Sequence, residues 1–268
     1  MKHLRVRLAR HLLTAALAAA LPALPAAAAS DDPAADRELV SAGFLTGHPD
    51  MKYRLMGLQA FKAGKNDDAL RYFQRAAYFA DKPAQGMVAE MLWKGEGVPQ
   101  DRALAYAWMD LAAERGYVGF LGLRETYWAA LSPAERERAI DEGQALYARY
   151  GDAAAQPRIA SRLRQQRRSI TGSRTGFAGN VKIYFGNGEV GFSQMDGTKF
   201  FDDKYWDPKK YQAWTDSIWQ QPRIGTVSVG EASALPAGDS AASRIPATRP
   251  DHDAAEPATP DDPVPTRP

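Results

Sequence analysis

The chain has 268 residues, with 34 Lys and Arg, 32 Asp and Glu, and no cysteine. The missing thiols exclude disulfide bonds, thiolate metal sites and a cysteine-linked lipid anchor. A formal net charge of only +2 gives no overall attraction to nucleic acid.

Residues 1–29 have the three-part pattern of a secretory signal peptide. Four basic residues, with no acidic one among them, precede an Ala/Leu run that ends in small residues. Pro22 and Pro25 interrupt the run and argue against a membrane anchor. Cleavage would leave 30 basic and 32 acidic residues, a net charge of −2. We therefore expect a protein that is periplasmic or secreted after cleavage, with no transmembrane span in its mature chain.

A repeat of helical character fills residues 49–150, after a lead-in at 30–48 that we expect to be flexible. Ala76-Ala77 recurs 36 residues later as Ala112-Ala113, and at the same offset Tyr72 corresponds to Trp108. A period of this length is typical of helix-pair solenoids, in which each pair buries its apolar side against its neighbours. The aromatic and small residues share one helical face, which lets another helix approach closely.

The segment WKGEGVPQD, residues 93–101, predicts a turn between two helices. Gly95 and Gly97 supply the permissive backbone of a helix stop, Pro99 cannot continue the helix, and Asp101 can cap the next one. A phosphate-binding loop would instead follow a strand and carry a Lys-Ser/Thr pair after its last glycine. Neither feature is present in the sequence, so the segment is interpreted as structural.

These residues resemble the Sel1-like repeat family, relatives of the tetratricopeptide repeats. The resemblance implies an α/α solenoid that binds other proteins as an adaptor or regulator. The neighbouring turn at 64–68 is shorter and lacks Gly-Val-Pro, and a third pair at about 118–130 and 133–149 has the character of a terminal cap. The residues that carry the signature are Gly95, Gly97, Val98, Pro99, Gln100, Asp101, Ala105, Trp108, Ala112, Ala113 and Gly116.

The fold expected for the whole chain is mainly α: a short α/α solenoid followed by a small α+β appendage and a disordered tail. Side chains on the first helix of each pair are expected to line a concave groove for another protein. These groove candidates are Tyr53, Gln59, Lys62, Gln85, Glu90, Lys94, Arg124 and Tyr127.

Residues 151–175 form a basic segment, because no acidic residue occurs between Ala153 and Gly188. Apolar residues at spacings of four and seven predict an amphipathic helix. Such a helix either docks on the last repeat with its arginines in solvent, or binds an anionic envelope component. The candidates for the second role are Arg158, Arg162, Arg164, Arg167 and Arg168.

Residues 176–224 predict the small appendage. Alternating apolar residues on both sides of Gly186-Asn187-Gly188 indicate a β-hairpin, and 199–201 suggest a third short strand. A last helix should open at Asp207-Pro208. The aromatic residues of the appendage belong either to a core or to a glycan- or membrane-binding surface. Exposure of Tyr184, Trp206 or Trp219 would favour the surface, and burial of all three would favour the groove.

The tail, residues 225–268, holds eight prolines and little apolar surface. This composition predicts disorder, since too little apolar area is available to offset the cost of ordering the chain. A transient return of the acidic tail onto the basic segment is a further option.

Few residues are suited to catalysis. After cleavage the remaining histidines are His48 and His252, one in the lead-in and one in the tail, which argues against a catalytic triad, a two-histidine metal site or a histidine base. The four aspartates between 196 and 207 allow a carboxylate site, but acids in a polar turn region are usually solvated. We predict a non-enzymatic binding protein without a cofactor, and as an alternative an envelope glycan- or membrane-surface-binding protein.

Overall fold

The computed structural model describes residues 36–171, 182–186, 192–220 and 242–262. The signal segment at 1–29, the Asn187-Gly188 turn and residues 225–241 and 263–268 of the tail lie outside the described residues. None of the described helices is both long enough and apolar enough to cross a membrane.

Three helix pairs form the centre of the structure, and the mainly α solenoid expected from the sequence is confirmed. In the first two pairs the first helix packs on the second, and α6 also packs on both α7 and α8 of the third pair. The pairs are α3 (Pro49–Lys62) with α4 (Asn66–Tyr78), α5 (Lys82–Lys94) with α6 (Arg102–Ala112), and α7 (Val118–Ala130) with α8 (Pro133–Tyr150).

The helix ends follow local capping chemistry. The carboxylate of Asp81 accepts a hydrogen bond from the backbone N–H of Ala84 at 2.8 Å, and Asp101 accepts one from Leu104 at 3.0 Å. Ser132 caps α8, with Glu135 bonding back to its backbone N–H. The segment at 93–101 is therefore a helix-to-helix turn, as expected.

Alanines bring the helices into close contact at the centre of the array. Ala76, Ala77, Ala112 and Ala113 have no exposed surface, and the Trp108 side chain is 3% exposed and packs against Tyr150. Small side chains on one face let the next helix approach, so the large ring can fill the remaining space.

At Gly97 the turn of the second pair packs on the start of α4, the second helix of the first pair. Its φ is +78°, and a Cβ built there would lie 2.2 Å from Cβ of Asn66 and 3.0 Å from its carbonyl carbon. A left-handed backbone favours glycine, and here a side chain would also collide with the main chain of α4.

We expect Gly97→Ala to lower the free energy of unfolding by at least about 2 kcal/mol. Gly64→Ala is a matched control, because Gly64 has a φ of +72° with nothing within 4 Å of a built Cβ. It should lose only about 1 kcal/mol for the backbone strain alone. Equal losses in urea denaturation of both variants would contradict the close packing at Gly97.

The lead-in differs from the flexible segment expected. Helices α1 (Arg37–Ser41) and α2 (Phe44–Gly47) precede the repeats, and Phe44 and His48 are fully buried. The Phe44 ring stacks on His48 with 3.8 Å between centroids and packs edge-on against Trp206. Aromatic rings from far along the chain therefore order this segment.

Helix α9 (Asp152–Thr171) carries the basic segment and is joined to the repeats by a cluster of charges. The Asp152 carboxylate accepts hydrogen bonds from Arg115 at 2.7 and 2.9 Å and lies 3.1 Å from the Lys82 ammonium. Lys82 is fully buried and also donates to the Leu111 carbonyl and to Glu114. Burial of Asp152 opposes its charge, but these cations lower the pKa of Asp152 to about 2.

The appendage contains one antiparallel hairpin, β1 (Lys182–Gly186) with β2 (Phe192–Asp196), in which Ile183 lies opposite Met195. The third strand expected at 199–201 is absent, because these residues form the end and the C-cap of α10 (Gly197–Phe200). Asp196 caps α10 by accepting from the backbone N–H of Thr198, and Phe200 and Phe201 turn into the aromatic core. Two further helices follow: α11 (Asp203–Trp206) and α12 (Pro208–Gln220).

Helices α11 and α12 lie against the lead-in and the first helices of the repeats. The Tyr211 hydroxyl donates to the buried Asp50 carboxylate at 2.5 Å. Both ring nitrogens of His48 lie 2.9 Å from backbone carbonyl oxygens, those of Phe44 and Tyr205. Burial lowers the pKa of His48 to about 4, and the two carbonyl oxygens beside the ring nitrogens act in the opposite direction.

Candidate functional site

The most informative surface of the repeat array is the one that holds the tail segment, residues 242–262. This segment has no helix or strand, yet it makes hydrogen bonds to helices α4, α6, α7, α8 and α9. We call the residues of these helices that contact it the tail surface. For 242–262 the structure thus differs from the disorder expected of the whole tail, because the repeat helices supply partners for its backbone.

The first part of the tail segment inserts one aliphatic side chain. Ile245 is 4% exposed and packs where α8 has Gly143, and a Cβ on Gly143 would meet Cδ1 of Ile245 at 2.4 Å. The Arg244 guanidinium donates to both carboxylate oxygens of Glu125, at 2.9 and 2.5 Å, and lies 4.9 Å from the centroid of the Trp128 ring. This bidentate ion pair fixes the position of Arg244 and of the neighbouring Ile245.

A buried acid, Asp110 of α6, marks the start of the tail surface. Its carboxylate accepts hydrogen bonds from Tyr147 at 2.9 Å and from Ser243 of the tail segment. Burial raises the pKa of Asp110, while these two hydroxyls and Arg124 act to lower it. At Glu125 the hydrogen bond from Arg244 lowers the pKa of the carboxyl, so that acid is ionised when the tail segment is in place.

The middle of the tail segment is held through its main chain. The backbone N–H of Asp251 donates to the Ala148 carbonyl at 2.7 Å, and the Asp251 carbonyl accepts from Arg158 at 2.5 Å. Arg149 donates to the Ala255 carbonyl at 2.6 Å. The chain turns at residues 252–253 between these contacts, which use its main chain and do not depend on its side chains.

The last part of the tail segment places acids against α4. Arg75 donates to Glu256, to the Pro257 carbonyl at 2.6 Å and to Asp262 at 2.6 Å. The same helix contributes two hydroxyls: Tyr72 donates to Asp261 at 2.7 Å, and Tyr78 donates to the Ala254 carbonyl at 2.8 Å. The tail surface therefore combines arginine and tyrosine donors, the residue types most often found at energetically important contacts between proteins.

Comparison with known protein families agrees with this architecture. The Sel1 repeat family model matches residues 56–78 and 82–117, which cover the second half of α3 and all of α4, α5 and α6. These two segments of the chain are similar to Sel1 repeats. No curated protein and no solved structure matches the chain.

The predicted groove residues of these Sel1-like repeats do not form one surface. Arg124 contacts the tail segment, donating to the Ala242 carbonyl at 3.2 Å, and Tyr53 lies beneath the Arg75 guanidinium. Gln85 is fully buried and donates to the Tyr150 carbonyl, while Tyr127 stacks on Trp93 at 3.9 Å.

The remaining groove candidates lie in solvent or near it. Gln59 and Lys62 are exposed on α3. Lys94 and Glu90 pair with each other on α5 at 3.1 Å. Part of the side formed by the first helices is instead covered by α12, whose Trp219 stacks on Phe120.

The basic candidates on α9 divide into two groups. Arg158 donates to the carbonyls of Arg149 and Asp251, and Arg167 pairs with Asp203 at 3.0 Å, so both contribute to the fold. The other three side chains are exposed: Arg162, Arg164 and Arg168.

The aromatic candidates of the appendage also divide. Tyr184 on β1 is 65% exposed, whereas Trp206 is buried and its indole N–H donates to the Phe200 carbonyl. Trp219 is half-buried against Phe120.

The aspartates between 196 and 207 act as helix caps or ion-pair partners. Asp196, Asp202 and Asp207 each accept hydrogen bonds from backbone N–H groups at the start of α10, α11 and α12. Asp203 pairs with Arg167 and Lys210. Across the residues that the structure describes, no group of His, Asp or Glu is arranged to hold a metal ion.

Sequence reasoning missed the tail surface because its residues resemble ordinary repeat positions. Tyr72 has the same place in its repeat as Trp108, and Arg75 looks like a solvated helix residue. One signal was available in the tail: Ile245 is a single branched aliphatic residue within the Pro-, Ala- and Asp-rich segment 236–263. An isolated apolar residue in such a segment is a candidate anchor.

Proposed function

We propose that the protein is an exported protein-protein interaction module that acts as an adaptor or regulator in a bacterial cell envelope. Sel1 repeats generally mediate contacts between proteins and are generally not enzymes, which agrees with a binding role for this chain. The pattern of residues 1–29 supports the export part of the proposal.

One observation supports the binding role most strongly: the helical array already holds a peptide without helix or strand, the tail segment. The contacts run from Glu125 to Arg75, across all three helix pairs, and use main-chain acceptors as well as side chains. A surface that binds 21 residues of its own chain without helix or strand has the chemistry needed for a segment of another protein.

Site-specific photo-cross-linking in the envelope of the source bacterium tests the proposal. The photoreactive residue would be placed at Gln144, which contacts the tail segment, at the exposed Gln59 of α3, and at the exposed Glu137 of α8 as a control. We expect one protein to be cross-linked from Gln144 or Gln59 and not from Glu137. Recovery of the uncleaved chain in the cytoplasm, or no specific product, would contradict the proposed function.

A second candidate is binding to an anionic membrane surface or glycan. It is favoured by the exposure of Tyr184 and of Arg162, Arg164 and Arg168, although Trp206 is buried. Co-sedimentation with vesicles containing about 30% anionic lipid distinguishes the two, because each basic residue near such a surface contributes on the order of 1 kcal/mol. Binding that is lost on changing these three arginines to Ala would favour the second candidate.

A further inference from the structure

The contacts on the tail surface recognise the main chain of a segment that forms no helix or strand. Carbonyl oxygens of the tail segment accept from arginine and tyrosine side chains at five residues: Ala242, Asp251, Ala254, Ala255 and Pro257. Every residue has a carbonyl, so these donors serve any segment that forms no helix or strand. Four prolines between 246 and 260 keep the tail segment in such a conformation.

Three side-chain contacts add specificity. Ile245 packs against Gly143. Arg244 forms a bidentate ion pair with Glu125, and Glu256 forms an ion pair with Arg75. A segment that satisfies all three carries an arginine, then a branched aliphatic residue, then an acid 11 residues after the aliphatic one. The charges of the tail surface are complementary to this order: Glu125 on α7 faces the arginine, and Arg75 on α4 faces the acid.

The tail segment is attached by contacts that a competing segment can replace. Its buried side chains are Ile245 and Thr259, and most of the others are exposed or half-buried. Its release therefore exposes little apolar area of the tail itself. The covalent link to the rest of the chain favours the bound state of the tail segment, because a tethered ligand has an effective concentration on the order of 1 mM.

We infer that the tail segment is a displaceable ligand bound in cis, and that the tail surface binds, in exchange with it, a non-helical segment of a partner protein with the Arg-aliphatic and acidic features of the tail. This inference rests on the proposed function. It adds the chemistry of the partner segment and the way in which the tail regulates its binding. A partner must outcompete the tethered tail, so binding is weak until the tail leaves.

The test uses the full chain and a fluorescently labelled synthetic peptide of residues 242–262 as the probe. A released variant carries Arg244→Glu and Ile245→Asp in its own tail. The matched control carries Ala247→Asp and Arg249→Glu, which add the same acids at exposed positions of the same segment. If the free probe has a Kd of about 10 µM, a tether at about 1 mM weakens its apparent affinity roughly 100-fold.

We expect the released variant to bind the probe at least about ten-fold more tightly than the wild type and the control variant. Adding Gly143→Leu to the released variant should abolish probe binding, while circular dichroism shows an intact helical fold, because leucine favours the helix and fills the Ile245 site. A probe peptide with the Arg244→Glu and Ile245→Asp changes should not bind.

Equal affinity of wild type and released variant for the probe would overturn the inference, and so would no binding to either. A concentration-dependent dimer of the wild type would show that the tail of a second copy fills the surface, which would also overturn binding in cis. If the released variant binds the probe but no envelope protein is cross-linked, the tail exchange stands and the proposed function fails. If a partner is cross-linked equally from wild type and released variant, the function stands and the tail exchange fails.

Discussion

Replacing Trp108 with alanine is expected to lower the free energy of unfolding by about 3–5 kcal/mol, the usual cost of deleting a large aromatic side chain from a packed core. The ring is 3% exposed and lies between alanine-rich helices and Tyr150, which leave no room to collapse around the cavity. For a chain of this size the melting temperature should fall by roughly 10 °C. Thermal melts followed by circular dichroism measure both quantities.

Two variants make this result specific to the repeat core. Trp108→Phe keeps most of the volume and should cost clearly less than the alanine change. Tyr184→Ala removes a 65% exposed ring and should change stability by no more than about 0.5 kcal/mol. An unchanged melting curve for Trp108→Ala would show that this position is not part of the repeat core.

The second large effect is expected from Asp152→Asn, which removes the charge that neutralises Lys82 and Arg115. Lys82 has no exposed side-chain surface and the Arg115 side chain is 10% exposed. Both cations would therefore lose an anionic partner at a site where water does not replace it. We expect a loss of about 3 kcal/mol at pH 7. Asp68→Asn, in an exposed pair with Arg71 at 2.9 Å, is the control and should cost under about 0.5 kcal/mol.

The loss at Asp152 should depend on pH. Its pKa is lowered from 3.8 to about 2 in the folded chain, so the ionised carboxylate stabilises the fold above pH 4. This stabilisation of about 2 kcal/mol disappears as the pH falls through 2. Urea denaturation of wild type and variant at pH 7 and pH 2 should therefore give a smaller difference at the lower pH. A constant difference would contradict the lowered pKa.

The repeat core could be predicted from the sequence because its signals are local. The Gly95 and Gly97 turn, the Asp101 cap and the Ala112-Ala113 face all act within one or two helical turns. The helix predicted at about 118–130 is found at Val118–Ala130 for the same reason.

The order of the lead-in and tail could not be predicted, because their stabilising partners lie far away in the chain. Composition describes the average of a segment, whereas the order here depends on individual buried residues, such as Phe44 in the lead-in and Ile245 in the tail. The position of the binding surface depends in the same way on long-range packing. Helix α12 covers residues of α3 and α7, and the second helices α4, α6 and α8 provide most contacts with the tail.

The hydrogen bond between the His48 ring and the Tyr205 carbonyl spans 157 residues of sequence. Repeat folds usually rely on neighbours in sequence and can nucleate at any repeat. In this chain the first helix pair gains partners from α11 and α12 and, later still, from the tail segment. High sequence separation slows folding, so this closure should be a late step. A chain that finishes folding late remains unfolded longer after synthesis, the condition in which a polypeptide can be threaded through a narrow membrane pore.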